Sequence, residues 1–123
     1  KIPLAIQANK EDLRKVFHNL FQNACEAMPT GGSFTLTTTK LKDDVLIHIK
    51  DTGIGIPKAE LNEIWTPFKS RHVTKGRGLG LSIVFRLVNE QGGNIEAQSQ
   101  EGKGSTFTLR FPLVPSPTPP SQL

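Results

Sequence analysis

Two glycine loops punctuate this chain, each joined to a different kind of element. Asp51-Thr52-Gly53-Ile54-Gly55-Ile56-Pro57 follows directly on a segment in which Val45, Ile47 and Ile49 alternate as in a half-buried strand. Gly76-Arg77-Gly78-Leu79-Gly80-Leu81-Ser82 runs straight into a helical pattern. Glycine allows positive φ and close backbone approach, so the fold has to bring something near to both loops. A third segment, His18-Asn19-Leu20-Phe21-Gln22-Asn23-Ala24, lies inside an amphipathic helix that precedes them.

The elements between these segments follow from periodicity. Ile2, Leu4 and Ile6 alternate and predict a short strand over 2–7. Asn9, with Asp12 three residues on, begins a helix over about 10–28, in which Leu13, Val16, Phe17, Leu20, Phe21, Ala24 and Met28 recur at helical spacing. Pro29-Thr30-Gly31-Gly32 stops it. Strands are expected over 33–40 and 44–50, turning at Lys42-Asp43-Asp44. A short helix is expected over 58–64, a loop without hydrophobic period over 66–78, and a second strong helix over 79–91 ended by Gly92-Gly93. A last hairpin, 94–99 and 105–112, turns around Glu101-Gly102-Lys103-Gly104. The sum is an α+β two-layer sandwich, with a mixed, mostly antiparallel sheet of about five strands packed on three helices. The domain is expected over 1–113, with a disordered Pro-rich tail over 114–123.

Composition narrows the classes. At 123 residues with 36% apolar content, this is one domain with enough material for a core. The net charge of +4 is compatible with a solvated surface or with an anionic ligand, and gives no basic run that would suggest nucleic acid. Cys25 is the single cysteine, so no internal disulfide forms, and its helical setting suggests a small packed residue. No apolar run approaches the roughly 20 residues of a bilayer span. The start, Lys1-Ile2-Pro3-Leu4, has neither a Met nor a signal-peptide pattern, and is expected to belong to a domain cut from a longer protein.

Each special segment has a chemistry. Asn19, Asn23 and Glu26 share one narrow arc of the first helix, at the lip of its apolar stripe. An amide oxygen there can complete a Mg²⁺ shell otherwise made of phosphate oxygens and waters, although an ordinary helix also carries such a polar edge. Asp51, at the end of a strand, can accept a hydrogen bond from the exocyclic amine of adenine. Gly53 and Gly55 would let the base approach, and Ile54 and Ile56 would lie near it, although Asp-x-Gly also occurs in plain turns. The second loop opens a helix, whose N-terminal N–H groups favour an anion. It lacks the Lys-Ser/Thr of a Walker loop. Lys69, Arg71, His72, Lys75 and Arg77 precede the helix with no acid between them.

Taken together, these residues resemble the catalytic ATP-binding domain of sensor histidine kinases, within the gyrase, heat-shock chaperone and MutL superfamily (the Bergerat or GHKL fold). Asn19-Leu20-x-x-Asn23-Ala24 resembles the N box and Asp51-x-Gly53-x-Gly55 the first glycine box. Trp65-Thr66-Pro67-Phe68 resembles the F box. Gly78-Leu79-Gly80-Leu81-Ser82-Ile83-Val84 resembles the second glycine box, and Gly102-x-Gly104-Ser105-Thr106-Phe107 the last hairpin. The run from Asn23 to Pro29 is most similar to the nitrogen-regulator type. The resemblance implies that Asn23 ligates Mg²⁺ with Asn19 supporting it, that Asp51 binds the adenine amine, and that Gly55 lies beside the base. It implies further that Phe68 anchors one end of a lid over ATP, while Gly78 and Gly80, with Leu79 and Leu81, form its other end at the phosphates. The lid departs from the usual Thr-Thr-Lys pattern, which leaves Arg71, His72 and Lys75 as alternatives for the γ-phosphate cation. Arg77 replaces a small hydroxyl residue and either contacts phosphate or points to solvent.

Hydrolytic relatives place a glutamate general base where this chain has Asn19, and an amide cannot take up a proton near neutral pH. The resemblance therefore implies a kinase rather than an ATP hydrolase, and the departures in the lid leave an ATP-binding interaction module without transfer as the alternative. His18, His48 and His72 lack the acceptor context of the family and are expected to be local residues. The expected partners are ATP or ADP, a helical-hairpin dimerisation and phosphoacceptor domain of the same parent, and a response-regulator receiver domain. The isolated domain is expected to be monomeric, its parent dimeric, and its location cytoplasmic, without direct membrane contact.

Overall fold

The computed structural model describes residues 6, 8–66 and 80–113. Helix α1 spans Lys10–Ala27. Asn9 caps it by accepting the Asp12 N–H at 3.0 Å, and Glu11 and Asp12 place negative charge at its positive end. Val16, Leu20 and Ala24, four residues apart, form its buried stripe. Cys25, expected to be packed, is exposed. One position past Ala24 it has rotated about 100° off that stripe.

Strands β1 (Phe34–Leu41), β2 (Asp44–Asp51), β3 (Asn94–Gln100) and β4 (Gly104–Pro112) form one sheet in the order β1-β2-β4-β3. Every neighbouring pair is antiparallel. Helix α2 spans Gly80–Glu90 and ends where Gly93 N–H donates to the Val88 carbonyl at 3.0 Å. The β1–β2 turn holds two residues, Lys42 and Asp43, with Lys42 in the left-handed region at φ 56°. Asp44, expected in that turn, instead opens β2 and forms an ion pair with Arg110.

Against about five strands and three helices, the described residues hold four strands, two α-helices and one 3₁₀ turn. The expected strand over 2–7 lies outside them except for Ile6, which packs against the core without regular structure. The tail over 114–123 and the loop beyond Thr66 also lie outside. The helix expected over 58–64 is a 3₁₀ turn, Lys58–Glu60, continued by further turns. Its bonds run from residue i+3 to residue i: Glu60 N to Pro57 O at 2.8 Å, Glu63 N to Glu60 O at 2.9 Å and Thr66 N to Glu63 O at 3.0 Å. Seven residues give too few bonds to offset helix nucleation, and Thr66 stands before a proline that disfavours α geometry.

The two helices pack on each other and on one face of the sheet, with α1 on β2 and α2 on β3. Register sorts that face into rows: Lys40, Val45 and Phe111; Thr38, Ile47, Leu109 and Ile95; Leu36, Ile49, Phe107 and Ala97; and Phe34, Asp51, Ser105 and Ser99. In the middle rows Ile47, Ile49, Leu109, Phe107 and Ile95 are buried together with Val84, Leu87 and Val88 of α2. Each such side chain stabilises the fold by about 1.5–3 kcal/mol through burial. The last row is polar at three of its four places. The opposite face is open and polar, and there the His48 ring lies between the hydroxyls of Thr39 and Thr108, at 3.3 and 3.2 Å.

Candidate nucleotide-binding site

The polar end row and the loop after it meet the C-terminal half of α1. Asp51 ends β2 with 3% of its surface exposed. Its Oδ1 accepts the Gly53 N–H at 2.9 Å, and the Ser105 N–H also reaches the carboxylate. Burial pushes its pKa above the usual 3.8, while the two backbone N–H groups pull the other way. A sheltered carboxylate with oxygen capacity left over is suited to accept from an amine.

Gly53 and Gly55 seat the loop by close contact. A Cβ on Gly53 would stand 2.4 Å from the Ala27 carbonyl oxygen, and the next residue, Ile54, donates its N–H to that oxygen at 2.9 Å. The loop therefore satisfies one of the carbonyls left open at the end of α1. Gly55 has φ +76°, and a Cβ there would stand 2.2 Å from the Gln100 carbonyl oxygen. On that side Gly102 N–H donates to Ile54 O at 2.6 Å, and Ile56 N–H to Ser99 Oγ at 2.7 Å. The Ile56 side chain is in the core, whereas Ile54 stands 47% exposed.

On α1, Asn19 and Asn23 are each one position before a buried residue, Leu20 and Ala24, and both are half-buried. Asn19 donates its Nδ2 proton to the Lys15 carbonyl at 3.0 Å. Its Oδ1 faces Gly80, the first residue of α2, where a Cβ would be 3.9 Å away. The Asn23 side-chain amide has no hydrogen-bond partner among the described residues. These are hard oxygen donors, and the described residues hold no group of three or more His, Cys, Asp or Glu side chains that could hold a metal ion. That donor set fits Mg²⁺, which takes one or two protein ligands and completes its shell with phosphates and water.

The structure thus brings Asn19, Asn23, Asp51, Gly53, Gly55 and the start of α2 (Gly80, Leu81) to one end of the molecule. Phe68, Arg71, His72, Lys75, Arg77, Gly78 and Leu79 lie outside the described residues. Trp65, just before them, packs on Phe85 and Phe107 with ring centroids 5.5 and 6.0 Å away. Ser99 was not singled out by sequence, and Ser105 was named only as part of the last-hairpin motif, without a role in the site. They join Asp51 through ladder register alone, and the available signal was a polar residue in the core phase of each strand.

Comparison with known proteins agrees with this fold. Residues 8–115 match the family described as histidine kinase-, DNA gyrase B- and HSP90-like ATPase. Sporulation kinase C of Bacillus subtilis is 41% identical over 108 residues, which is 88% of this chain and 25% of that protein. The chain therefore spans about a quarter of that curated relative's length. The mycobacterial sensor histidine kinase MprB aligns with a TM-score of 0.81 at 25% identity, over 92% of this chain and 80% of the other. Full-length ShkA in complex with AMPPNP aligns at 0.80 and 28% identity, over 94% of this chain and 24% of the other. The chain belongs to the histidine kinase-, DNA gyrase B- and HSP90-like ATPase family, as the catalytic ATP-binding domain of a sensor histidine kinase.

Proposed function

We propose that this domain holds Mg-ATP with its adenine on Asp51, and that it donates the γ-phosphoryl group to a histidine on a separate helical-hairpin domain of its parent. The observation that carries the reading is the buried Asp51 carboxylate at the end of β2, followed by a loop bonded to the same helix that bears Asn19 and Asn23. The likeness to ShkA, whose structure was solved in complex with AMPPNP, supports nucleotide binding as the activity to test.

In this reading the base lies against Gly55 and gives its amine proton to Asp51. The N-terminus of α2 receives the phosphates through the N–H groups of its first turn. Asn23 holds Mg²⁺, and Asn19, tied to Lys15, keeps its oxygen toward Gly80. Mg²⁺, when bound, neutralises phosphate charge. An acceptor imidazole nitrogen forms the bond to γ-phosphorus as the bond to the β-phosphate oxygen breaks, ADP leaves, and the ring proton passes to solvent. This transfer asks the domain for positioning and charge, not for a base. Asn19 supplies none, so water is not activated beside the γ-phosphate.

The resulting phosphohistidine supplies a response-regulator receiver domain. The parent is a homodimer through its hairpin domain, and the domain works in the cytoplasm, where ATP is. Among the described residues no helix is long and apolar enough to cross a membrane. The test is incubation of the domain with γ-labelled ATP and Mg²⁺, with and without the parent's histidine-bearing hairpin. Acid-labile, alkali-stable label on the hairpin alone is the expected result. Rapid phosphate release without label would make the domain a hydrolase. Binding with neither label nor release would make it a nucleotide-dependent interaction module.

A further inference from the structure

Ser99 Oγ has three polar neighbours: the Ile56 N–H at 2.7 Å, the Gly104 carbonyl oxygen at 2.9 Å and Ser105 Oγ at 2.8 Å. A hydroxyl offers one proton and two lone pairs. Ile56 can only donate and Gly104 can only accept. One assignment therefore serves all three neighbours: Ser99 accepts from Ile56, donates to Gly104, and accepts from Ser105. The Ser105 proton then points at Ser99. Ser105 Oγ, 5% exposed by residue and opposite Asp51 in the ladder, is left with lone pairs alone.

We propose that Ser99 is a positioning residue that fixes Ser105 as a pure acceptor beside Asp51, so that the site reads an amine, not a carbonyl, at purine C6. The proposal rests on the adenine reading of Asp51. Two adjacent acceptors suit the exocyclic amine of adenine, directly or through one water. They oppose the carbonyl of a 6-oxopurine, which would present a third acceptor to them. A site built to bond one polar pattern rejects the other because its own groups are left unpaired. Without Ser99, the Ser105 hydroxyl is free to rotate and donate to that carbonyl.

The experiment is calorimetric titration of the domain with ATP and with ITP, each with Mg²⁺, for the wild type, Ser99→Ala, Ser105→Ala and Asp51→Asn. Ser99→Ala is expected to narrow the ATP-over-ITP preference by roughly three- to ten-fold, the ratio set by one hydrogen bond. Ser105→Ala is expected to weaken ATP by a similar factor and leave ITP nearly unchanged. Should Ser99→Ala fail to fold, because Ile56 and Gly104 also lose a partner, Ser105→Ala decides. An equal loss for both nucleotides in the folded serine variants, or no change in either, overturns the relay. If Asp51→Asn meanwhile abolishes the preference, the adenine reading stands without it. If Asp51→Asn keeps the full preference, the adenine reading itself is wrong.

Discussion

Asp51→Asn separates recognition from folding. The native carboxylate is 3% exposed and accepts from the Gly53 N–H at 2.9 Å and from the Ser105 N–H. The amide is isosteric and keeps one acceptor oxygen, which can hold Gly53. Its NH₂ group then faces the Ser105 N–H, a local loss, while relief from burying a charge works in the opposite direction. These two effects oppose each other, so the thermal midpoint is expected to move by only a few degrees. Affinity has no such compensation. A hydrogen bond to a charged acceptor is worth about 1.5–3 kcal/mol, which is roughly 10- to 150-fold in Kd at 1.4 kcal/mol per decade. Titration of AMPPNP with Mg²⁺ into both proteins reads this factor directly. Near-native affinity in a folded variant would refute the assignment of the amine to Asp51.

The same carboxylate gives a pH dependence of definite sign. Its folded-state pKa is raised above 3.8 by burial. As pH falls through that raised value, Asp51 gains a proton while an exposed aspartate would still be ionised. The ATP-over-ITP preference is therefore expected to shrink in that window, and using the ratio cancels the titration of the triphosphate. Stability runs the other way. The native state keeps the proton to higher pH than the unfolded chain, so this residue's favourable contribution is complete below 3.8 and is lost as pH rises through the raised value. A preference that stays flat on acidification would argue against a carboxylate contact.

Further perturbations test the neighbouring parts. Asn23→Ala is expected to remove most of the Mg²⁺ dependence of ATP binding, read as the ratio of affinities with Mg²⁺ and with EDTA; an unchanged ratio would exclude Asn23 as the ligand. Gly53→Ala puts a methyl 2.4 Å from a backbone oxygen and 2.7 Å from Ala27 Cβ, with no side-chain rotation to relieve it. About 1–3 kcal/mol of stability is expected to be lost, as for other overpacked sites, together with nucleotide affinity. Wild-type values in denaturant unfolding and titration would mean that the loop does not dock on α1 in solution. Phe107→Ala removes a ring that is 2% exposed and meets Trp65 edge-on. A loss of about 3–5 kcal/mol in denaturant unfolding is expected, and less than 1 kcal/mol would place that ring outside the core.

What the sequence made legible and what it hid divide along one physical line. Local patterns were readable. The 3.6-residue period of Val16, Leu20 and Ala24 located α1 to within a residue, and alternation placed both hairpins. Asn19, Asn23, Asp51 and the two glycines stood out because each lies in a short segment whose chemistry is local. The short helix expected over 58–64 is a 3₁₀ turn over Lys58–Glu60 only, because six of those seven residues are apolar or charged and suit a longer helix equally well, and the choice rests on flanking prolines and on tertiary contacts. The place of Ser99 and Ser105 beside Asp51 was hidden for a different reason, although Ser105 itself lies in the last-hairpin motif. They are 48 and 54 positions from Asp51 and meet it only through strand register. A signal for them was nevertheless present. In β2 the core phase runs Val45, Ile47, Ile49 and then Asp51; in β4 it runs Phe111, Leu109, Phe107 and then Ser105; in β3 it runs Ile95, Ala97 and then Ser99. Three strands each turn polar at the end of an apolar phase, and antiparallel pairing puts those three ends side by side. Buried polar groups need partners. Two buried polar residues, Asp51 and Ser105, in one row with the half-buried Ser99 therefore mark either a mutual network or a ligand, and the Ser99 hydroxyl, with one proton for two acceptors, connects the two by leaving Ser105 free to accept beside Asp51.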